Sequence, residues 1–455
     1  MKHFALFAAL ALGACSAAPS SNAPVTRAMI ADSALPPMKV FQSPAPVTPR
    51  MSNANIAEDF LSLHFQLESG RALPTFTRFE GPITVGVAGT PPASLGPDLT
   101  RLLNRLRNEA QIDIRQVTEG RGTPNIVIEA VSRSDIRRAL PQAACFVVPN
   151  VTSLRDFRRS RRSEKTNWAR LNERKQMAIF LPYDASPQEV RDCLHEELAQ
   201  ALGPLNDLYH LRESVFNDDN VHTVLTGFDM LVLRATYSPE LRSGMDRGEV
   251  AARLPGLLSR LNPAGNGQQE YPQALTPRSW IDAVQNALGP GASSAERRAS
   301  VNDALKIAGD MNWTDNRRGF SHYIAGRMMQ SYDPEMAQSH YATARRYFLR
   351  TPGTELHQSY LAAQTAAYEI TRGNGAEALR QITPALSAAR NGENAALLAT
   401  LMLLQAEAYT LTGQYEAARA VRLDSLGWAR YGFGSDWAVR AKMNEISSLN
   451  PAPQG

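Results

Sequence analysis

The chain has few cysteines, few aromatic residues and little excess charge. Only 3 of its 455 residues are cysteine and 7% are aromatic, which excludes a small disulfide-dense scaffold. A net charge of +4 over this length does not by itself favour nucleic acid as a partner. No segment after the N-terminal run is long and apolar enough to span a bilayer. The remaining composition is ordinary for a globular protein, and the length predicts roughly two or three domains.

The N-terminus is a short basic start followed by the apolar run Phe4–Ala14, which ends at Cys15. The sequence Leu12-Gly13-Ala14-Cys15 resembles a bacterial lipobox, in which the chain is cut before the cysteine and Cys15 receives the lipid. Ser16 follows rather than aspartate, as in lipoproteins sorted to the outer membrane. We therefore predict a signal peptide over residues 1–15 and a lipid-anchored protein of the cell envelope that faces the periplasm. The alternative is an ordinary signal peptide with a chance cysteine.

The two other cysteines are Cys145 and Cys193. An exported protein lies in an oxidising compartment, where two remaining cysteines often pair. The sequence therefore favours a disulfide between them, and two buried free thiols are the alternative.

Residues 16–52 are rich in Pro, Ser and Ala and are interpreted as a flexible tether. Over residues 53–250, apolar strand-like runs alternate with segments of helical spacing, which predicts an α/β or α+β domain with a mixed sheet. The predicted strands are Ile83–Gly89, Asn125–Val131, Cys145–Asn150 and Gln176–Pro182.

Arg155–Lys175 is a basic run with nine basic and three acidic residues. The favoured interpretation is a solvated loop or hairpin. The alternative is contact with lipid phosphates or nucleic acid, aided by Phe157 and Trp168. Export makes nucleic acid the poorer partner, and none is predicted.

Residues 251–295 are interpreted as a connector with one short helix near Trp280, and residues 296–450 as an all-α array. Two segments of the array repeat one pattern at a spacing of about 40 residues. The matched pairs are Gln364 with Gln405, Tyr368 with Tyr409, Gly373 with Gly413, and Ala378 with Ala418. The second copy resembles a tetratricopeptide repeat, which implies a groove that binds a protein partner. A generic helical domain is the alternative.

One helix has clear ends in the sequence. Ser186 and Glu189 form a capping box around Pro187, and Gly203-Pro204 stops the pattern. This helix carries a His-Glu pair at His195, which is half of a zinc-peptidase signature. A helical wheel turns His195 away from the apolar arc, so it is predicted to face solvent.

Shifted by one residue, the same stretch resembles the metzincin zinc motif H-E-x-x-H-x-x-G-x-x-H/D. Glu196, Gln200 and Asn206 then stand at the three ligand positions, Glu197 at the catalytic glutamate and Gly203 at the turn.

The sequence that follows extends this resemblance. Glu213–Asp219 stands at the position of the Met-turn, with Phe216 in place of Met, and Leu225–Tyr237 resembles the C-terminal helix of that fold. More narrowly, Cys193–Asp207 resembles domain-of-unknown-function family 2927, with a departure at Pro204-Leu205. The resemblance covers about residues 55–245.

The resemblance implies an α+β, metzincin-like domain with an active-site-type helix, followed by an all-α helical repeat domain. One carboxylate and two amide oxygens are poor zinc ligands, so we expect a catalytically inactive peptidase-like domain with no cofactor. The rival is a metal-dependent peptidase or amidase, with Glu197 as general base and zinc or calcium held by Glu196, Gln200, Asn206 or Asp207. A helix that resembles the motif in structure alone is a third interpretation.

A separate zinc site of His195, His210 and His222 lacks the usual close spacing. Taken together, the sequence predicts a scaffold or recognition protein. The array would bind a protein partner, and the lipid on Cys15 would bind the membrane.

Overall fold

A computed structural model describes residues 35–42, 47–49, 51–118, 122–271 and 275–451. Cys15 and the predicted signal peptide lie outside these ranges, so lipidation stays a prediction. Among the helices of the described ranges, none has the length and apolar character needed to cross a bilayer.

The first domain is built on a five-stranded mixed sheet with the order β2-β1-β3-β5-β4. All neighbouring strands are parallel except β4, which runs antiparallel to β5 at one edge. The predicted strands are present, and the sequence missed β2 because three residues are too short for a recognisable period. The strands are β1 Ile83–Gly89, β2 Ile114–Gln116, β3 Ile126–Val131, β4 Phe146–Pro149 and β5 Met177–Pro182.

Seven α-helices accompany this sheet in the described ranges, and most of their apolar side chains enter one core with the strands. Every residue of β5 is buried, as expected of a strand that is covered on both faces. The helices are α1 Asn53–His64, α2 Leu95–Asn108, α3 Arg133–Ala139, α4 Leu154–Ser160, α5 Pro187–Leu202, α6 Gly227–Thr236 and α7 Arg247–Leu261.

The first domain extends past the predicted boundary at residue 250. Helix α7 runs through this position, and its buried residues Val250, Leu254 and Leu258 join the core of the first domain. The basic run 155–175 is not a hairpin, because α4 and two short 3-10 turns occupy it.

The C-terminal part is a series of nine α-helices within the described ranges, which confirms the α+β and all-α division. Trp280 is fully buried against Trp313 and Phe320, so α8 belongs to this helical part rather than to a connector. The helices are α8 Arg278–Leu288, α9 Ser294–Asp310, α10 Asn316–Met329, α11 Pro334–Arg350, α12 Glu355–Thr371, α13 Gly375–Asn391, α14 Ala395–Leu411, α15 Tyr415–Phe433 and α16 Asp436–Ser447.

The two parts meet at the first half of α5. The Gln188 side chain donates to the Asn394 side chain at 3.1 Å, and Arg191 pairs with Glu393 at 3.2 Å. The guanidinium of Arg191, itself buried, also lies 5.2 Å from the ring centre of Tyr431. A buried arginine that is paired and stacked in this way fixes the helical part on α5.

Cys145 and Cys193 are joined by a disulfide. The bond ties the residue before β4 to the middle of α5 and closes a loop with a sequence separation of 48 residues. The edge strand and the helix therefore share a covalent link as well as packing.

Replacement of both cysteines by serine should destabilise the first domain by about 4 kcal/mol, because the unfolded chain regains the freedom of a long loop. Urea unfolding in oxidising buffer, followed by circular dichroism, measures the shift. Under reducing conditions the difference between wild type and the double variant should shrink toward zero. Equal midpoints in oxidising buffer would contradict the stabilising role of the bond.

Candidate functional site

Helix α5 begins at Pro187 after Ser186, but only half of the predicted capping box forms, because the Glu189 carboxylate pairs with Arg133. The Ser186 side chain accepts a hydrogen bond from the Glu189 N–H at 3.2 Å, and Pro187 occupies the first turn, where no N–H is needed. This cap fixes the phase of the helix and hence the direction of every side chain discussed below.

His195 does not face solvent, which corrects the prediction from the helical wheel. It is 5% exposed, and its Nδ1 accepts a hydrogen bond from the Leu225 N–H at 3.1 Å. Burial, with the positive charges of Arg191, Arg105 and Arg101, holds the pKa of His195 well below its usual range. A wheel drawn for one helix omits α2, which covers this face. His195 is thus a neutral buried acceptor.

The C-terminal end of α5 is held by a buried arginine. Arg174 is 2% exposed and donates to the carbonyl oxygens of Gln200 and Gly203. The Tyr237 hydroxyl donates to the Leu202 carbonyl at 3.0 Å. Carbonyls that lack partners within the helix are thus satisfied by side chains, and the positive charge lies at the favourable end of the helix dipole.

Gly203 lies where the chain leaves α5, and the position has no room for a side chain. A Cβ atom there would lie 2.9 Å from His64 Nε2 and 3.0 Å from a Thr236 methyl. His64 is itself fixed, because its ring nitrogens lie 2.9 Å from the Phe60 carbonyl and 2.9 Å from the Thr236 hydroxyl. The glycine therefore permits α1 and α6 to approach the end of α5.

The two amide side chains of the predicted ligand set form hydrogen bonds with the end of α1 and with the segment that follows it. Gln200 donates to Glu68 at 3.4 Å. Asn206 donates to the Ser62 carbonyl at 3.1 Å and to the Gln66 side chain at 3.4 Å. Residues 62–68 therefore lie directly against the second and third ligand positions.

Phe216, at the predicted Met-turn position, is completely buried beneath this region. Its carbonyl accepts a hydrogen bond from the Leu208 N–H at 2.8 Å, just after Asn206 and Asp207. Asp229 supports the turn by accepting from the Ser214 hydroxyl at 2.5 Å. Helix α6 then begins at Thr226 with a complete capping box, as the sequence pattern at residues 225–229 suggests.

Five carboxyl groups form an acidic cluster at this site: Glu68, Glu196, Glu197, Asp207 and Asp218. Burial, with the negative charges of Glu68 and Asp218, raises the pKa of Glu196 to about 8. Burial and the neighbouring carboxylates hold the pKa values of Glu197 and Asp207 well above their usual ranges. These shifts favour the protonated form of each of the three groups.

Glu197 is the most enclosed member of the cluster, at 5% exposure. Its Oε2 has no hydrogen-bond partner among the described residues, and neither has Asp207 Oδ1. The backbone of Val147 in the edge strand β4 also lies close to the Glu197 carboxyl. A protonated Glu197 is a hydrogen-bond donor and a poor general base, since its lone pair is not available to accept a proton.

Helix α8 reaches over the same cluster from the helical part of the chain. Arg278 donates to the Glu68 carbonyl at 2.8 Å, and Gln285 donates to Asp218 at 3.2 Å. The Tyr209 hydroxyl also donates to Asp218, at 2.8 Å. Sequence reasoning predicted the short helix near Trp280, but it did not connect α8, Glu68 or Asp218 with this site, because no local pattern links them to α5.

The donor set at the predicted ligand positions does not fit zinc. Glu196, Gln200 and Asn206 offer oxygen atoms alone, whereas protein zinc sites rely on imidazole and thiolate. Across the part of the chain that the structure describes, no group of three or more His, Cys, Asp or Glu side chains is arranged to hold a metal ion. His195, His210 and His222 do not form such a group either. His210 pairs with Asp59 at 2.7 Å.

Replacement of Gly203 by alanine should lower the free energy of unfolding by roughly 1–3 kcal/mol, because the new methyl overlaps His64 and Thr236. Gly96→Ala is the matched control: it lies in α2 with nothing within 4 Å of its Cβ position and should be neutral or slightly stabilising. Thermal unfolding of both variants compares them. Equal stability of the two variants would contradict the close packing at Gly203.

The acidic cluster should make stability fall as pH rises. Folded Glu196 keeps its proton up to about pH 8, whereas an ordinary glutamate loses it near 4.5. The folded state therefore binds more protons in this window, and the free energy of unfolding decreases as pH increases through it. Glu196→Gln removes this penalty and should stabilise the protein at pH 8 by about 1–3 kcal/mol, with little effect at pH 4.

Chemical unfolding at both pH values measures the difference for Glu196→Gln. Glu58→Gln, at an exposed position of α1, is the control and should change stability little at either pH. A Glu196→Gln variant with the same pH dependence as wild type would show that Glu196 is ionised at neutral pH.

The chain has one match to a known protein family. Residues 53–256 match the family described as "Protein of unknown function (DUF2927)", and residues 257–455 lie outside the match. No curated protein and no solved structure matches the chain. The first domain is therefore similar to this family over nearly all of its length, which confirms the resemblance predicted from the sequence around α5.

Proposed function

We propose that this chain is a lipid-anchored protein of the bacterial cell envelope in which a metzincin-like domain has lost its zinc chemistry. In this proposal the domain acts together with the helical array as a scaffold or recognition protein. The lipid on Cys15 holds the chain at the outer membrane, on the periplasmic side.

The observation that carries this proposal is the occupation of the ligand positions by the chain itself. Gln200 and Asn206 use their amide groups to bind Glu68, Ser62 and Gln66. An active zinc peptidase keeps one coordination position open for water or substrate. Amides held by a neighbouring segment support a site that is closed by its own polypeptide.

The protonation of the cluster supports the same conclusion. A catalytic glutamate must accept a proton from the attacking water, which requires a carboxylate near the working pH. Burial and the neighbouring Glu196 and Glu68 raise the pKa of Glu197 well above that of an ordinary glutamate. The raised pKa favours the protonated form of Glu197, which cannot accept a proton from water.

The metzincin-like assignment draws support from the order and packing of elements. A mixed sheet precedes α5, the chain turns away at Gly203, and the buried Phe216 turn lies beneath Leu208.

The tetratricopeptide-like assignment draws support from Gly373 and Gly413. Both follow a helix of the array with φ values of +76° and +75°, in equivalent turns.

Binding of a protein partner by the array is supported by apolar side chains on its last helices. Tyr415, Leu423 and Trp437 are each 63% exposed. Aromatic side chains left on a surface are typical anchors of protein–protein contacts.

The alternative function, a metal-dependent peptidase or amidase, is favoured by one specific observation. Glu197 and Asp207 each have a buried oxygen without a hydrogen-bond partner in the described ranges, beside three further carboxyl groups. Calcium prefers such oxygen ligands.

Metal analysis separates the two functions. Lipid-free chain purified without chelator should contain zinc and calcium well below one equivalent per chain, since the zinc ligands are missing. Peptide hydrolysis by wild type, Glu197→Gln and the control Glu58→Gln should be equally close to background. One equivalent of metal, together with hydrolysis that Glu197→Gln abolishes and Glu58→Gln retains, would establish the peptidase instead.

A further inference from the structure

We propose that helix α15 carries a docking site for extended peptides of Pro-Pro-x-Lys-x-Phe chemistry, and that residues 35–42 of this chain are its resident ligand. These residues, LPPMKVFQ, are called the cis segment below. They belong to the predicted flexible tether, yet they lie against the protein and form neither helix nor strand. The proposal does not depend on the state of the acidic cluster.

The backbone of the cis segment is held at two points along α15. The Lys39 N–H donates to the Gly427 carbonyl at 3.0 Å, and Arg430 donates to the Pro36 carbonyl at 2.8 Å. Pro36 and Pro37 have no N–H to satisfy and favour an extended backbone, which lowers the entropic cost of ordering the segment.

Gly427 permits the close approach of the cis segment to α15. A Cβ atom at this position would lie 2.7 Å from the Lys39 side chain and 3.0 Å from the Pro37 carbonyl. Glycine in the middle of a helix is destabilising relative to alanine. Its presence is explained here by a polypeptide crossing directly over the helix.

Two side chains of the cis segment provide specificity. Lys39 forms an ion pair with Asp424, and its Nζ lies 5.6 Å from the ring centre of Trp428. The Phe41 ring stacks on Trp428 with 4.5 Å between ring centres and is 8% exposed. The ammonium group of Lys39 and the ring of Phe41 therefore contact a carboxylate and an aromatic ring on α15.

The other side of the cis segment remains in solvent, since Met38 is 38% and Val40 47% exposed. One face of the segment contacts α15 and the other face is exposed, as in a peptide bound on a protein surface. A strand within a core would be buried on both faces. Short linkage to the same chain gives the segment an effective concentration in the millimolar range. It therefore excludes a weak ligand of the same chemistry until it is displaced.

The experiment uses the full lipid-free chain and a fluorescent peptide of residues 33–44. Wild type should bind this peptide weakly, because its own segment occupies the site. The variant Lys39→Glu/Phe41→Ala releases the segment and should bind the peptide at least about tenfold more tightly. Fluorescence anisotropy measures both affinities, and circular dichroism checks that the helices are retained.

A charge reversal tests the contact itself. In a chain released by Lys39→Ala/Phe41→Ala, whose own segment has no charge at position 39, Asp424→Lys should weaken binding of the wild-type peptide, and a peptide carrying Lys39→Glu should recover the affinity. Glu416→Lys is the control, on the same helix and without contact to the segment. It should leave both affinities unchanged. In the otherwise unaltered chain, the single variants Lys39→Glu and Asp424→Lys should each lower the melting temperature. The double variant should restore it. This test does not depend on the binding of the peptide to the released chain.

Four results would overturn the proposal. The released chain, still helical, does not bind the peptide; wild type and the released chain bind it equally; or the paired charge reversal restores neither affinity nor stability. A wild-type dimer that Phe41→Ala dissociates would likewise overturn it, because the segment would then be exchanged between two copies.

Discussion

The structure of the site depends on one buried cation, the Arg174 guanidinium. Burial lowers the pKa of Arg174 to about 10, which leaves it charged at neutral pH. Its charge is compensated by carbonyl oxygens at the end of α5 and by the Thr77 hydroxyl at 3.2 Å. These carbonyls lie at the end of the helix that Gly203 and Pro204 terminate, so Arg174 stabilises the point at which the chain turns toward Asn206 and Asp207. The other eight basic residues of its run are exposed. The basic run 155–175, which the sequence predicts to be solvated, thus also supplies the buried Arg174 that supports the site.

Local patterns predicted the elements, and partners distant in sequence decided what they do. The N-cap at Ser186, the stop at Gly203 and the strand runs were recognisable because each depends on neighbouring residues. His195 was misplaced because the wheel of an isolated helix does not include α2. Glu68 lies 132 residues before Gln200, and Gln285 lies 67 residues after Asp218, so only the folded chain brings them together. The sequence therefore identified the candidate positions on α5, whereas the residues that surround them are recognised only in the folded chain.

The acidic cluster illustrates how carboxyl groups behave when a fold encloses several of them without a compensating cation. In a zinc site the positive ion compensates nearby carboxylates, and the glutamate is free to act as base. Here burial and neighbouring carboxylates raise the pKa values of Glu196, Glu197 and Asp207, which favours their protonated forms. The amides of Gln200 and Asn206 donate hydrogen bonds to Glu68 and to Ser62 and Gln66, so the same segment contacts both of these positions.

Helix α5 contributes to two sites that would be unrelated if the two parts of the chain were independent domains. Its first turns hold the helical part through Gln188 and Arg191, and its last turns carry the acidic cluster, which α8 reaches through Gln285. At the cluster, Arg278 donates to the Glu68 carbonyl and Gln285 donates to Asp218, so the helical part also contacts the C-terminal side of α5. Arg191, in the first half of α5, lies 5.2 Å from the ring centre of Tyr431 in α15. One helix therefore contributes both to the contact between the two parts of the chain and to the acidic cluster.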